Sequence, residues 1–305
     1  MTSKIAERFT HQPSRHHSRR VSVGSVARHL SLLTFLVLAS CSNIEEADRL
    51  QVVNVVERDT VQKPDPTPVD TIDYFAPTGR HVLIEDFTGQ DCVNCPNATD
   101  LIAQLQDMQG HDKIIAVGIH SGPLGVKPDK DPEGLATTLG DTYYKYWNIE
   151  MQPYGVINRS DGPLATDWWT AKVNWDLAPE QPDPSVNIWV TTSAADDRKA
   201  TINTTVAAYE YAKAKLQIWL VEDGIVAFQK MPDGTKKADY VHNHVLRDAV
   251  NGAWGEDFEL EAQDTKTFTH SYDVPANWNM DQLYVVAFAY NDDRVIQAAR
   301  EKLTK

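Results

Sequence analysis

Cysteine is the residue type whose spacing in this chain most clearly predicts chemistry. Cys92 and Cys95 are two of only three cysteines, and they lie in the segment DCVNCP at residues 91–96. Two cysteines separated by two residues can exchange a disulfide with another protein, because the second thiol can attack and resolve the mixed disulfide. As a structural cross-link the pair is weak, since closing so short a loop contributes only about 2 kcal/mol. The spacing therefore favours a redox origin and leaves open whether the pair is an active dithiol or a static disulfide.

The third cysteine, Cys41, ends a segment with the features of a secretory signal. Six Lys and Arg residues and one acidic residue precede an apolar stretch at residues 30–40. This stretch is too short to span a bilayer, which takes about 20 residues. The segment LASC at 38–41 resembles the lipobox of bacterial lipoproteins, in which the cysteine is acylated and becomes the N-terminus. We expect a signal peptide at 1–40 and anchoring of Cys41 in the outer membrane by its acyl chains. An ordinary cleaved signal is the alternative.

Charge and composition narrow the range of partners. Removal of residues 1–40 leaves 23 Lys and Arg against 42 Asp and Glu, a net charge of −19. Such a charge argues against nucleic acid as a partner, because that partner requires basic patches. Residues 41–78 include prolines at 64, 66 and 68 and predict a flexible stalk. The remaining chain is long enough for two modest domains.

The first of these domains is predicted at residues 79–179. A buried strand at 81–87 leads into the dithiol, and Pro96 suits the first turn of a helix, where a missing N–H does no harm. The apolar run at 114–119 is typical of a parallel strand covered on both faces. A strand, a Cys-x-x-Cys pair at a helix start, a helix and a second strand predict a thioredoxin-like α/β domain. The helix is indicated by apolar residues three and four positions apart: Ala98, Leu101, Ile102, Leu105 and Met108.

Pro153 adds a third element to this prediction. It precedes a predicted strand about 60 residues after the dithiol, where thioredoxin-like proteins have a cis-proline that faces the cysteines. An ordinary surface turn with a trans bond is the alternative. If the pair is redox-active, Cys92 is the nucleophile, Cys95 resolves the mixed disulfide, and Pro153 shapes the substrate groove. Asp91 opposes this role, because a neighbouring negative charge raises the pKa of a thiol, and the motif contains no cation to compensate.

The second domain is predicted at residues 180–305, after a proline-rich linker. Apolar residues alternate with polar ones over several short segments, and Asp223-Gly224 predicts a tight hairpin. Some seven short strands over about 120 residues predict an all-β antiparallel sandwich of the immunoglobulin type. The predicted strands begin near Val186, Ile202, Leu216, Ile225, Thr265, Leu283 and Val295.

Four segments of the chain, in this order, resemble a known family. They are FTGQDCVNCP at 87–96, INR at 157–159, YVHNHVLR at 240–247 and NGAWGE at 251–256. Together they resemble the outer membrane protein 28 family of Bacteroidetes lipoproteins, over roughly residues 79–300. The resemblance implies a lipid-anchored outer-membrane protein with an adhesive or receptor-like role. It implies no established reaction.

Two further clusters could bind metal ions. His242 and His244 are two residues apart, which would place both on one face of a strand and suit a metal, although structural or surface histidines are the more common outcome. Three acidic side chains at residues 129–133 could bind calcium, but a solvated acidic loop is the simpler interpretation. We therefore expect no metal site and no cofactor.

Tryptophans near the domain junction, Trp168, Trp169 and Trp175, indicate either core packing or a platform for sugars.

Two functions follow from the sequence. The first is a binding or adhesion module on a thioredoxin-like scaffold, with exported proteins, host proteins or glycans as partners. The second is a thiol–disulfide oxidoreductase that acts on exported proteins. The predicted outer-membrane location favours the first function, as does the charge of Asp91, which disfavours a reactive Cys92 thiol. The pattern of Cys92, Cys95 and Pro153 favours the second function.

Overall fold

The structure, a computed structural model, describes residues 72–195 and 197–304, which belong to one compact unit. Cys41, the signal peptide and nearly all of the stalk lie outside these residues, so cleavage and acylation stay predictions. No helix of the described ranges is long and apolar enough to cross a bilayer. The strands are β1 Val82–Thr88, β2 Ile114–His120, β3 Tyr154–Ile157, β4 Pro163–Ala165, β5 Val186–Ala194, β6 Lys199–Ala208, β7 Ala212–Glu222, β8 Ile225–Lys230, β9 Lys236–His242, β10 Val245–Ala249, β11 Glu256–Leu260, β12 Thr265–Asp273, β13 Leu283–Tyr290 and β14 Val295–Lys302; the α-helices are α1 Cys95–Gln109, α2 Thr138–Tyr146 and α3 Trp169–Asp176.

Strands β1 and β2 form the centre of the fold and are buried along their whole length. They pair in parallel, and β3 pairs with β1 in the antiparallel sense. Alternate side chains of a strand point to opposite faces, so Ile84 packs beneath α1 and α3, whereas Leu83 packs on the other face, beneath α2. Both faces of the two strands are covered. As the sequence predicted, β2 is a nearly continuous apolar run and β1 is a buried strand, although β1 also contains Glu85, Asp86 and Thr88.

The sheet continues beyond residue 180. Its order is β14-β13-β7-β10-β2-β1-β3-β4, with β11 paired to β7, and β10 joins β2 in parallel at Val245 and Gly118. We expected the later strands to form a sandwich of their own, but five of them complete the sheet that the first half begins. The large sheet contains strands from both sides of residue 180, so its hydrogen bonding crosses the predicted domain boundary. The division into domains at residues 79–179 and 180–305 stays a prediction.

The remaining strands form a second layer. Strands β12, β6 and β5 make a three-stranded antiparallel sheet, which packs on β7, β11 and β13 of the large sheet through a shared apolar core. Strand β7 contributes to two cores, since Ile218 faces the three-stranded sheet and Trp219 faces the cluster beneath α2. The fold is therefore mostly β, with a mixed sheet and an antiparallel sheet in contact, and with helices on the part of the mixed sheet nearest the cysteines.

The hairpin predicted at Asp223-Gly224 is wrong. Strand β7 does not pair with β8; β8 instead pairs with β9 in a separate two-stranded sheet. Asp223 accepts a hydrogen bond from the N–H of His244 at 2.6 Å, and the N–H of Gly224 donates to Asn243 at 3.0 Å. These contacts hold the two ends of the β8–β9 hairpin together at its base, and the hairpin projects toward the cysteines.

Candidate functional site

Cys92 and Cys95 form a disulfide at the N-terminus of α1. Cys95 is the first residue of the helix, and Cys92 lies in the preceding turn, where its carbonyl accepts from the N–H of Cys95 at 3.4 Å. Both cysteines are only 2 % exposed. The turn is tight because a Cβ on Gly89 would lie 2.3 Å from the carbonyl oxygen of Leu124. The disulfide is therefore held in a fixed turn and is almost closed to solvent.

Two consecutive carboxyl groups of β1 are buried beside this turn, on opposite faces of the sheet. Glu85 is fully buried and forms two hydrogen bonds with the Arg159 guanidinium, of 2.5 and 3.1 Å. Asp86 is 1 % exposed, and its Oδ1 atom has no hydrogen-bond partner in the described part of the chain. Burial raises the pKa of Asp86 to about 7. A buried carboxyl without a cation is uncharged over more of the pH range, so Asp86 can accept or release a proton near neutral pH.

A small cavity joins Asp86 to the disulfide. Its volume is about 20 Å³, room for one water molecule. Asp86 and Cys95 line it together with His120, His242 and Gln229. The Nδ1 atom of His120 also lacks a hydrogen-bond partner among the described residues. The cavity is therefore a polar chamber, which we call the chamber, and both a proton acceptor and the second cysteine line it.

The histidines of the chamber are structural and electrically neutral. The rings of His120 and His242 meet edge to face, 5.2 Å between centroids. Burial lowers the pKa of His120 well below its usual value and the pKa of His242 and of His244 to about 4. The predicted strand through both His242 and His244 is wrong, since β9 ends at His242 and His244 adopts a positive φ of 47°. Within 72–195 and 197–304, no three His, Cys, Asp or Glu side chains are arranged to hold a metal ion.

The β8–β9 hairpin covers the cysteine turn. The side-chain amide of Gln229 donates to the carbonyls of Cys92 at 2.8 Å and Gly89 at 3.2 Å. The backbone N–H of Lys230 donates to the carbonyl of Gln90 at 2.8 Å, and the buried Gln90 amide donates back to the Phe228 carbonyl at 3.2 Å. These reciprocal contacts fix the hairpin against the turn, and they explain the low exposure of the disulfide.

The hairpin also supplies the cation that the motif lacks. Lys230 Nζ lies 3.0 Å from Asp91 Oδ1, and both side chains are partly exposed. A half-exposed ion pair of this kind is weak, but it offsets the charge of Asp91 next to Cys92. Sequence analysis missed Lys230 because it is 139 positions further along the chain. It also passed over Asp86, although two acids in an otherwise apolar strand were a visible signal.

Gln229→Ala tests how firmly the hairpin closes the site. We expect the variant to be reduced by dithiothreitol about tenfold faster, because a hydrogen bond to the turn of about 1–1.5 kcal/mol is lost. The measurement is the rate of thiol release under pseudo-first-order conditions. Thr235→Ala is the matched control, since the Thr235 hydroxyl donates to Asp233 at the hairpin tip and makes no hydrogen bond to the cysteine turn among the described residues. An equal rate for both variants and the wild type would show that the hairpin does not limit access.

A surface depression beside the cysteine turn contains the predicted proline. The Gln152–Pro153 bond is cis, and the Gln152 amide donates to the carbonyls of Thr88 at 2.6 Å and Ser121 at 3.0 Å. Pro153 and Asn94, which stands between the two cysteines, line the same depression of about 510 Å³. The structure thus places the proline loop against the ends of β1 and β2, next to the dithiol.

A second and larger depression lies on another part of the molecule. This cleft, which we call the aromatic cleft, has a volume of about 920 Å³, and Tyr146, Trp147, Trp254 and Tyr290 contribute to its walls. The tryptophans singled out by sequence lie elsewhere: Trp169 is fully buried in the core beneath α1, whereas Trp168 and Trp175 are each 64 % exposed.

The fold and the site define a class of protein with a Cys-x-x-Cys disulfide above a buried carboxyl, in a mixed sheet that carries a second antiparallel layer. Residues 140–305, more than half of the chain, match the family described as outer membrane protein Omp28. The chain belongs to this family and is an outer-membrane protein, as the sequence predicted. No curated protein sequence matches it.

The solved structures similar to the chain include two from Porphyromonas gingivalis. HBP35 of Porphyromonas gingivalis is 17 % identical, with a TM-score of 0.58 over 74 % of this chain and 76 % of that one. This likeness shows a shared fold. A domain of the outer membrane lipoprotein Omp28 from Porphyromonas gingivalis is 25 % identical over 41 % of this chain and 93 % of that one, with a TM-score of 0.30.

Proposed function

We propose that this outer-membrane protein is a thiol–disulfide oxidoreductase that acts on exported proteins. The observation that carries the proposal is the position of Asp86, whose pKa is about 7, in the wall of the chamber that also holds Cys95. A group with this pKa can accept a proton from a thiol and return it at neutral pH. A purely static disulfide needs no such group, and burying an unpaired carboxyl costs stability.

The order of elements around the site supports a thioredoxin-like domain. A parallel β1-α1-β2 unit is followed by a cis-proline, by β3 antiparallel to β1, by β4 and by α3. The free N–H groups at the start of α1 favour negative charge at the cysteines. Pro153 borders an open depression beside Asn94, large enough for an extended segment of a substrate protein.

The exchange reaction follows from these positions. In the reduced protein, the Cys92 thiolate attacks a sulfur of a substrate disulfide, and one substrate cysteine leaves as a thiolate that takes a proton from solvent. Cys95 gives its thiol proton to the Asp86 carboxylate and attacks the Cys92 sulfur. The mixed disulfide breaks, and the second substrate cysteine leaves and is protonated. The substrate gains two hydrogens, and the protein regains the Cys92–Cys95 disulfide.

Cysteine variants of the full-length protein test this proposal. Cys92→Ser is expected to abolish exchange with a disulfide-containing peptide, since the nucleophile is absent. Cys95→Ser is expected to trap mixed disulfides with exported proteins, because the resolving thiol is gone. The products are separated by non-reducing electrophoresis and identified by mass. The double variant is the control, and its loss of about 2 kcal/mol in the free energy of unfolding leaves a folded protein. Absence of trapped species from Cys95→Ser, with the protein folded, overturns the proposal.

A binding or adhesion role is the second candidate, and the aromatic cleft favours it. A cleft of about 920 Å³ falls within the range of ligand sites, about 300–1,000 Å³. The disulfide is not part of its lining. If attachment to proteins or glycans is the main role, replacement of both Cys92 and Cys95 leaves attachment intact, whereas changes in the cleft remove it.

A further inference from the structure

We infer that the aromatic cleft is a binding site for a neutral oligosaccharide. The inference goes beyond the redox proposal, because the cleft and the disulfide have no lining residue in common. It rests on three features of the cleft: exposed aromatic rings with fixed orientations, lysine–carboxylate pairs, and a balance of charge.

The rings form a bent platform at the end of α2. Tyr146 is 63 % exposed. Its ring centroid lies 4.5 Å from that of Trp254 and 5.1 Å from that of Trp147, with interplanar angles of 52° and 84°. The electron-rich face of an aromatic ring attracts the weakly positive C–H groups that line one face of a sugar ring. Rings set at steep angles can each contact a different sugar unit of a chain that curves through the cleft.

Hydrogen bonds to the backbone hold the platform in place. The Trp254 carbonyl accepts from the Tyr290 hydroxyl at 2.8 Å, and the neighbouring Ala253 carbonyl accepts from the Tyr143 hydroxyl at 2.6 Å. Tyr143 is fully buried beneath the platform. These bonds fix the backbone that carries Trp254 before any ligand arrives, which reduces the conformational entropy lost on binding.

The lining of the cleft also offers paired charges. Lys215 Nζ lies 2.8 Å from Asp257 Oδ1, and Lys213 Nζ lies 3.4 Å from Glu259 Oε2. A fixed ammonium–carboxylate pair presents a donor and an acceptor side by side, and two adjacent sugar hydroxyls present the complementary arrangement. An apolar ligand would leave these groups without partners, which costs affinity.

The charges of the lining decide between neutral and acidic sugars. Three lysines stand against three acids, and Arg159 in the floor is already paired with Glu85. The whole chain has a net charge of −14. A sulfated or carboxylated glycan would therefore meet a cleft of no net charge on a negative protein and gain no electrostatic attraction. The lysines and acids are Lys213, Lys215, Lys266, Asp257, Glu259 and Asp292.

Isothermal titration of the full-length protein with cellohexaose, maltohexaose, mannohexaose and a sulfated heparin hexasaccharide tests the inference. The detergent must carry no sugar headgroup, since such a headgroup would compete. We expect at least one neutral hexasaccharide to bind, and the sulfated one to bind at least tenfold more weakly or not at all. Binding of none of the neutral sugars, or a preference for the sulfated one, overturns the inference.

Variants locate the site. Tyr146→Ala is expected to lower the affinity for the bound hexasaccharide about tenfold, and Trp254→Ala more than tenfold. Trp175 is as exposed as Tyr146 but lies outside the cleft. Trp175→Ala should therefore leave the affinity unchanged. Trp254 also packs against the buried Tyr143, so Trp254→Ala could unfold the protein. In that case Tyr146→Ala, at an exposed side chain, tests whether the sugar binds in the cleft. Equal affinity for Tyr146→Ala and the wild type contradicts the assignment. The Cys92→Ser/Cys95→Ser double variant should bind the sugar normally, whatever the outcome of the redox experiment.

Discussion

Replacement of Arg159 by methionine is expected to lower the free energy of unfolding by about 3–5 kcal/mol. Arg159 is the only partner of the fully buried Glu85 carboxylate among the hydrogen bonds and ion pairs of the described residues. Its guanidinium also lies 4.7 Å from the centre of the Phe288 ring and 4.6 Å from that of Tyr290. Methionine keeps most of the side-chain volume but leaves a charge in the core without compensation. Urea denaturation of the purified protein measures the effect.

Two further variants separate the charge from the packing. Adding Glu85→Leu to Arg159→Met removes both charges, and apolar replacements of a buried pair are often neutral, so the double variant should regain most of the lost stability. Lys215→Met breaks an exposed ion pair with Asp257 and should cost no more than about 1 kcal/mol. A double variant as unstable as Arg159→Met alone would show that shape, rather than charge compensation, gives the pair its importance.

Asp86→Asn is expected to make the protein more stable at pH 8 than the wild type, by about 4 kcal/mol, and nearly equal to it at pH 4. The pKa of Asp86 is raised by burial to about 7 from its usual value of 3.8. The stability of the neutral form is therefore fully present below pH 4 and is lost as the pH rises through 7. A difference of about three pKa units corresponds to about 4 kcal/mol. Asparagine carries no charge at any pH, so the variant does not lose this stability as the pH rises.

The measurement is chemical denaturation of both proteins at pH 4, 6 and 8. The lowered pKa values of His120, His242 and His244 act in the opposite sense, since their contribution is lost as the pH falls below 6.5. Both proteins share these histidines, so their effect largely cancels in the difference. Asp257→Asn, which removes an exposed ion pair with Lys215, is the control and should change the stability by no more than about 1 kcal/mol at any of the three pH values. Parallel stability curves for Asp86→Asn and the wild type would contradict the raised pKa.

The same Asp86 variant links stability to the proposed reaction. Without a proton acceptor beside Cys95, resolution of the mixed disulfide should be slower by about two orders of magnitude at pH 7. Mixed disulfide should then accumulate with wild-type cysteines. Unchanged turnover in Asp86→Asn, together with the expected stability difference, would mean that the carboxyl is buried but takes no part in exchange.

Part of the fold is readable from the sequence because it depends on local patterns. The helix predicted from the apolar spacing of Ala98, Ile102 and Leu105 is α1, and the three residues are fully buried. Met108 was included in that apolar face but is 62 % exposed. The strands at 81–87 and 114–119 match β1 and β2 within a residue or two, because both strands are buried and the apolar residues that bury them lie close together in the chain.

Pairing between distant strands was not readable. Asp223-Gly224 has the composition of a hairpin turn, yet its flanking strands enter different sheets, because β7 finds partners in β10, β11 and β13. Two-residue alternation gives the direction of side chains but not the identity of the neighbouring strand. The same limit applies to β10, which pairs with β2 in parallel at Val245 and Gly118.

The sequence by itself determined the cysteine spacing, helix α1 and most of the strands, since each depends on residues close together in the chain. It also indicated the outer-membrane family, through four short segments between residues 87 and 256. Only the tertiary structure brought Lys230 to Asp91, Gln229 to the cysteine turn, and His242 to the chamber that Asp86 and Cys95 also line. Only it distinguished Glu85, which pairs with a cation, from Asp86, which has no ion pair with any described residue. The pKa of a buried carboxyl depends on which groups surround it in space, and those groups come from strands more than 100 residues apart.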